Sequence, residues 1–304
     1  MSTNSKLSDI LQDDEARRLV EAAGLPPEAI PTGAFFSDAA ERELSATREA
    51  ARREHEAARA AGEGHVAAEQ AAREASSGFV PTPGNKLQQE IAERRAAGST
   101  EPLRLGVLLS GSGTNLQAII DCIEAGALNA EIALVVSSRP SAYGLKRAEA
   151  AGIQTLTLSK EVYADPMAAD EIIASELLRC EVDYVIMAGY MRMVHAPLLV
   201  TFPNRVVNLH PALLPSFTGA HAIDDAFERG VKVTGVTVHF ANAAYDAGPI
   251  IAQRPVVVQE GWNVEELEAA IHEVEHVLYP ETIQLLAEGR VHVRPDNVVE
   301  IAQA

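Results

Sequence analysis

Cysteine, aromatic side chains, positive charge and long apolar runs are all in short supply in this sequence, and each shortage excludes something. The two cysteines, Cys122 and Cys180, stand far apart in apolar helical patterns, with neither metal-ligand spacing nor a CxxC pair. No disulfide framework or thiolate metal site is expected, and both read as inert core thiols. Aromatic residues make up only 5% of the chain, yet 47% is apolar, enough for a large core and against collagen-like character or wholesale disorder. No apolar run approaches the roughly 20 residues of a membrane-spanning helix. The N-terminus lacks the basic start and apolar stretch of a signal peptide, so a cytoplasmic address is expected. Bases number 25 against 43 acids, a net charge of −18 that repels a phosphate backbone. Small-molecule partners are therefore expected rather than nucleic acid or membrane, and any phosphate must be caught locally.

At 304 residues the chain has room for two units, or for one large domain with an accessory segment. From Ala39 to Ala75 it is dominated by Ala, Glu and Arg, with only Leu44 and Val66 as large apolar residues. A helix polar on every side has nothing to bury, so this stretch reads as a solvated spacer. A short amphipathic pattern from Ser8 to Leu25 precedes it, and Gly, Pro and Ser collect at 76–87 and 96–102 as in linkers. The boundary is placed at residue 100. Residues 1–100 form a polar extension, helical or disordered, whose removal is expected to leave the activity intact. Residues 101–304 form the domain that carries the chemistry.

Past Pro102 the pattern sharpens. LRLGVLL (103–109) reads as a strand, Gly-Ser-Gly as a tight turn and TNLQAIIDCIEAG as an amphipathic helix. Strand and helix then alternate through EIALVVSS, AYGLKRAEAAG, QTLTLS, DPMAADEIIASELLRC and VDYVIMAG, the signature of βαβ units and a parallel sheet covered on both faces. RVVNLH (205–210) adds a strand, VKVTGVTVHF and IIAQRPVVV finish the sheet as an antiparallel pair, and Val264 to Glu288 closes the domain as a helix. Ligands of open α/β sheets bind beyond the carboxyl ends of the strands, so the residues just past each strand are the candidates for chemistry.

Three such places stand out. SGSGTN (110–115) joins the first strand to its helix, where backbone N–H groups can cradle an anion; a turn capped by Thr114 explains the same residues. In NLHPALLP (208–215), Asn208 and His210 share one face of a strand that Pro211 ends. They suit an oxyanion donor and a proton-transferring acid, or a structural Asn–His hydrogen bond. In YDAGPI (245–250), Asp246 precedes Gly248-Pro249 and is by itself a turn-former. Together the three side chains could converge on one reacting centre, with Asp246 orienting His210 and handling protons.

In their order these segments resemble the folate-dependent formyltransferase family, over residues 103 to 295. The carriers are GVLLSGSGTNLQAII, VDYVIMAGYMRMV, NLHPALLPSFTGAH, VTGVTVHFANAAYDAGPII and EVEHVLYP. The resemblance implies the formyltransferase fold, a mostly parallel Rossmann-like α/β sheet flanked by helices. It also implies a transferase of purine biosynthesis, monomer or homodimer, that needs no metal and moves the formyl group of 10-formyltetrahydrofolate to the amine of glycinamide ribonucleotide. Matched position by position, Asn208, His210 and Asp246 are its catalytic trio. Gly113, Thr114 and Asn115 match the loop that receives the ribonucleotide phosphate, and Gly189, Pro211 and Glu275 surround the nucleotide, Glu275 at the ribose hydroxyls. Met191, Arg192 and Val194 match the folate wall, as does the loop from Ala243 through Tyr245 to Gly248. Ser216, Thr218 and His272 depart from the residues relatives often carry there. His239 and His276, each within an apolar element, are expected to be structural.

The alternatives are a formyltetrahydrofolate hydrolase, which shares the formyl-handling residues, and a folate- or nucleotide-binding regulatory protein without turnover. The first usually carries a βαββαβ domain in front, whose strands residues 1–100 lack. The intact trio counts against the second. A Rossmann dehydrogenase is disfavoured by the missing third glycine and by Ser137-Ser138-Arg139 where an acidic residue would be needed.

Overall fold

A strand that is apolar on both faces belongs in the middle of a covered sheet, and Leu103–Leu109 takes that place. The computed structural model describes residues 83–303. In chain order its elements are α1 (Pro83–Ala96), β1 (Leu103–Leu109), α2 (Thr114–Glu124), β2 (Ala130–Ser137), α3 (Tyr143–Ala150), β3 (Thr155–Thr157), α4 (Pro166–Arg179), β4 (Tyr184–Met187), α5 (Ala196–Thr201), β5 (Val206–His210), α6 (Ala222–Glu228), β6 (Val233–Phe240), β7 (Ile250–Val257), α7 (Val264–Ala287), β8 (Val291–Val293) and β9 (Val299–Ile301). The Ser8–Leu25 and Ala39–Ala75 patterns lie outside the described residues.

Seven strands form one sheet in the order β3-β2-β1-β4-β5-β6-β7. β3 through β5 pair in parallel, and β6 and β7 are added antiparallel, as the short connection between them predicts. From β1 the chain builds outward to β2 and β3, then crosses back to place β4 on the other side, so the strand order reverses between β1 and β4. That reversal opens a crevice at the carboxyl ends of the strands.

Alternation along the strands sends side chains to two cores. Leu105, Val107 and Leu109 meet Leu116 and Ile119 of α2 and Ile271, Tyr279 and Ile283 of α7 on one face. Leu108, Val136 and Val185 meet Ile173 and Leu177 of α4 and Phe202 on the other. The long helix α7 starts with a reciprocal cap: Asn263 Oδ1 accepts from the Glu266 amide at 2.9 Å, and Glu266 Oε2 accepts from the Asn263 amide at 2.8 Å. Further along, the Tyr279 hydroxyl lies 3.1 Å from the Met187 carbonyl and 3.0 Å from that of Val207, which fixes the helix beneath the end of β4 and the first residues of β5.

The boundary expected at residue 100 moves toward the N-terminus. Residues 83–96, expected to belong to the polar extension and its linkers, form α1 and close the amino end of the sheet. Ile91 is buried in the main core. The Gln88 side chain donates to the Leu286 carbonyl (3.0 Å) and the Tyr184 hydroxyl (2.9 Å) and accepts from the Val291 amide (2.9 Å). Asn85 donates to the Val293 carbonyl at 2.7 Å and accepts from the Val293 amide at 2.8 Å. Polar composition suggested solvent here because the partners lie some 200 residues away in sequence. Among the described residues, no helix is long and apolar enough to cross a membrane.

Candidate active site

The crevice holds a cavity of about 560 Å³. Of the sequence-predicted residues, Asn115, Gly189, Met191, Arg192, Val194, Asn208, His210, Pro211, Tyr245, Asp246 and Glu275 line it; Gly113, Thr114, Ala243 and Gly248 are not among its lining residues. Gly248 is packed instead against β6, where a Cβ would collide with the Phe240 carbonyl.

Three elements converge on the centre of the wall. Asn208 and His210 leave the last turnless stretch of β5 on the same face, and the antiparallel register sets Asn208 opposite His239 of β6. Asp246 reaches the pair from the β6–β7 connection, in a left-handed conformation (φ 50°) that Asp tolerates better than most side chains. Its buried carboxylate lies 3.5 Å from His210 Nδ1 through Oδ2 and 3.7 Å from His239 Nε2 through Oδ1, and Oδ2 also accepts from the Gly219 amide at 2.9 Å. His210 Nε2 donates to the Phe217 carbonyl at 2.7 Å.

His239 is more than the structural residue expected. A carbonyl can only accept, so Nδ1, 3.0 Å from the Phe240 oxygen, carries the proton and Nε2 is left to accept from Asn208 Nδ2 at 3.1 Å. Burial lowers the His239 pKa, against the raising effects of the Phe240 hydrogen bond and the Asp246 charge. A neutral His239 thus turns the Asn208 amide so that its second N–H remains for a group in the cavity. The signal for this residue was its place at the end of an alternating strand, but only the register puts it opposite Asn208.

A second cluster lies where α2 meets α7. Gly113, at φ 71°, is the cap residue of α2, and no side chain caps that helix, so the Thr114 cap is not formed. Inside the first turn, Asn115 Nδ2 donates to Glu275 Oε2 at 2.9 Å, while Asn115 Oδ1 is buried without a partner. His272 Nδ1 donates to the same Glu275 oxygen at 2.9 Å. That hydrogen bond raises the His272 pKa, opposed by burial and helped by the charges of Glu275 and Glu268. His276 stacks on His272 with ring centroids 6.2 Å apart. Burial lowers its pKa, and its buried Nε2 has no partner.

The remaining wall is apolar and exposed: Met191, Met193 and Tyr245 present their side chains to solvent. Arg192 rests on the ring of Tyr163, 4.0 Å from its centroid. Among the described residues, no group of three or more His, Cys, Asp or Glu is arranged to hold a metal ion. The arrangement offers an amide N–H donor, an imidazole and a carboxylate on one wall, Asn115 from the uncapped first turn of α2 with Glu275 on another and a broad apolar shelf beside them. This suits group transfer between two bound molecules, one of them anionic and the other with a flat apolar body.

Comparison with known proteins agrees with that reading. The model of the formyl transferase family matches residues 103–283. Over 183 residues the chain is 37% identical to phosphoribosylglycinamide formyltransferase of Bacillus subtilis (strain 168), covering 60% of this chain and 94% of that protein. It is 40% identical over 194 residues to the trifunctional purine biosynthetic protein adenosine-3 of Gallus gallus, covering 64% of this chain but only 19% of that much longer protein. The crystal structure of glycinamide ribonucleotide transformylase 1 from Symbiobacterium toebii superposes with a TM-score of 0.65 at 47% identity, over 67% of this chain and 96% of that one. The fold, the crevice and these likenesses agree, and the chain belongs to the formyl transferase family.

Proposed function

We propose that the chain transfers the formyl group of 10-formyltetrahydrofolate to the primary amine of glycinamide ribonucleotide, a step of purine biosynthesis. The observation that carries this reading is the convergence of Asn208, His210 and Asp246 on one wall of the crevice, with His239 orienting the amide. The amine attacks the formyl carbon, a C–N bond forms and the carbonyl oxygen gains negative charge. The free N–H of Asn208 stabilises that oxyanion, joined by His210 once its Nε2–H turns from the Phe217 carbonyl to the oxyanion. Asp246 holds His210 and receives the proton shed by the attacking nitrogen. The bond from the formyl carbon to N10 of the folate then breaks, and N10 takes up a proton as it leaves.

The uncapped start of α2, with Asn115, fits the ribonucleotide phosphate, because its amide N–H groups have no side-chain competitor. Gly113 and Thr114 act there through their backbone. Glu275 fits the ribose hydroxyls, Gly189 and Pro211 the nucleotide's flanks. Met191, Arg192, Val194 and Tyr245 fit the pteridine and benzoyl rings of the folate, with Ala243 and Gly248 shaping the loop that carries Tyr245.

The test is absorbance-monitored release of the tetrahydrofolate product from a 10-formyl folate, with and without glycinamide ribonucleotide. Turnover that requires the nucleotide is expected. Turnover without it would make the protein a hydrolase, and silence in both arms would leave a binding protein.

A further inference from the structure

Behind the apolar shelf lies a buried carboxylate that the reaction does not use. Asp170 of α4 is almost fully buried, and among the described residues no lysine or arginine pairs with it. An isolated carboxylate in such a place is costly, and burial pushes its pKa up. What opposes burial is His195: Asp170 Oδ2 accepts the His195 backbone N–H at 2.5 Å and lies 3.3 Å from the imidazole Nδ1.

The segment so held matters. Residues 188–195 run from β4 to α5 without regular structure, and they carry the shelf. At one end the Met191 amide donates to Ser110 Oγ at 2.9 Å. At the other the His195 amide donates to Asp170. Between these two anchors, Arg192, Met193 and Val194 face the main cavity, and Arg192 stacks on Tyr163. A smaller cavity of about 260 Å³, lined by Tyr163, Asp170, Arg192 and His195 among others, leaves the segment room to sink away from the folate side if an anchor is lost.

We propose that Asp170 is a positioning residue for the formyl donor, holding the His195 amide so that Met191–Val194 stands at the height the donor's rings require. The inference rests on the reading above that this shelf receives the folate. Asp170 touches neither substrate, so it acts on the binding of one of them and leaves the chemical step alone.

The test is steady-state kinetics of the full chain and its variants with both substrates varied. Asp170→Ala should raise KM for the formyl donor by about tenfold, the loss of one charge-assisted hydrogen bond, with kcat and KM for the ribonucleotide little changed. Asp170→Asn keeps an oxygen that can accept the same N–H, so the donor KM should recover most of the way to the unsubstituted value. His195→Ala keeps the backbone anchor and removes only a partly exposed imidazole, so the donor KM should stay within about twofold. A donor KM indifferent to Asp170→Ala, or a loss shared equally by both KM values and kcat, would overturn the proposal. If the alanine variant does not fold, Asp170→Asn takes its place: a residual rise of about threefold confined to the donor KM is expected, and no rise, or one shared equally by the ribonucleotide KM, would overturn the proposal. An unsubstituted chain without turnover overturns the proposed function and this inference with it; an active chain whose donor KM ignores Asp170 overturns only the inference.

Discussion

At the amino end of the sheet, α1 buries Asn85 and Gln88; at the carboxyl end, β5, β6 and their connections bury His210, His239 and the Asp246 carboxylate and half-bury Asn208. Both ends hide amides from water, but they use them differently. Gln88 and Asn85 spend their donors and acceptors on backbone groups of Leu286, Val291 and Val293 and on one hydroxyl. Asn208 finds a histidine ring, that histidine faces a carboxylate, and Asn115 keeps an oxygen with no partner at all. Polar groups fully matched to the backbone close a fold. Polar groups matched to one another, with capacity to spare, are held ready for something that arrives later.

The comparison can be broken from either side. The largest effect is expected at the carboxyl end: His210→Ala and Asp246→Asn should abolish measurable formyl transfer, and Asn208→Ala should lower kcat by about 10² to 10³, the usual loss for one oxyanion donor. Ribonucleotide affinity by calorimetry should stay within roughly tenfold in all three, with unfolding midpoints little changed. At the amino end the reverse is expected. Gln88→Ala strands the Val291 amide and the Leu286 carbonyl and should cost about 2 to 4 kcal/mol in urea unfolding, with kcat unchanged in the folded fraction. A chain begun at residue 101 loses α1 altogether and should be less stable still.

Two smaller effects sharpen the contrast. His239→Ala should lower kcat by about tenfold, because Asn208 loses its orientation but not its donors. The last concerns His272, whose pKa is held above its ordinary value by Glu275. Its charge is present below that raised pKa and is lost as pH rises through it. KM for the phosphorylated substrate should therefore climb by about threefold on the alkaline side, and His272→Gln should flatten that limb of the profile.

Much of this was legible in the chain itself. Leu103–Leu109 is the first strand to the residue, and the alternation of apolar strands with helices foretold the parallel sheet and its antiparallel finish. Asn208 and His210 were named from their place at the end of a strand and Asp246 from its place past one, and the cavity receives all three. Other features were hidden. PGNKLQQE looked like linker because Asn85 and Gln88 are polar, and β8–β9 is too short for periodicity to show. His239 sits in an apolar strand where nothing local separates a core histidine from one that aims an amide. Asp170 reads as one more charge on a helix until the segment it holds is seen.

The sequence by itself determined the strands of the central sheet, the longer helices between them and their order, since burial periodicity and turn chemistry act within about ten residues. Only the tertiary structure decided which polar residues meet. Asn115 and Glu275 are 160 residues apart and Asn85 and Val293 are 208 apart, and whether such groups are satisfied or left waiting depends on how the layers pack. No local pattern records that packing.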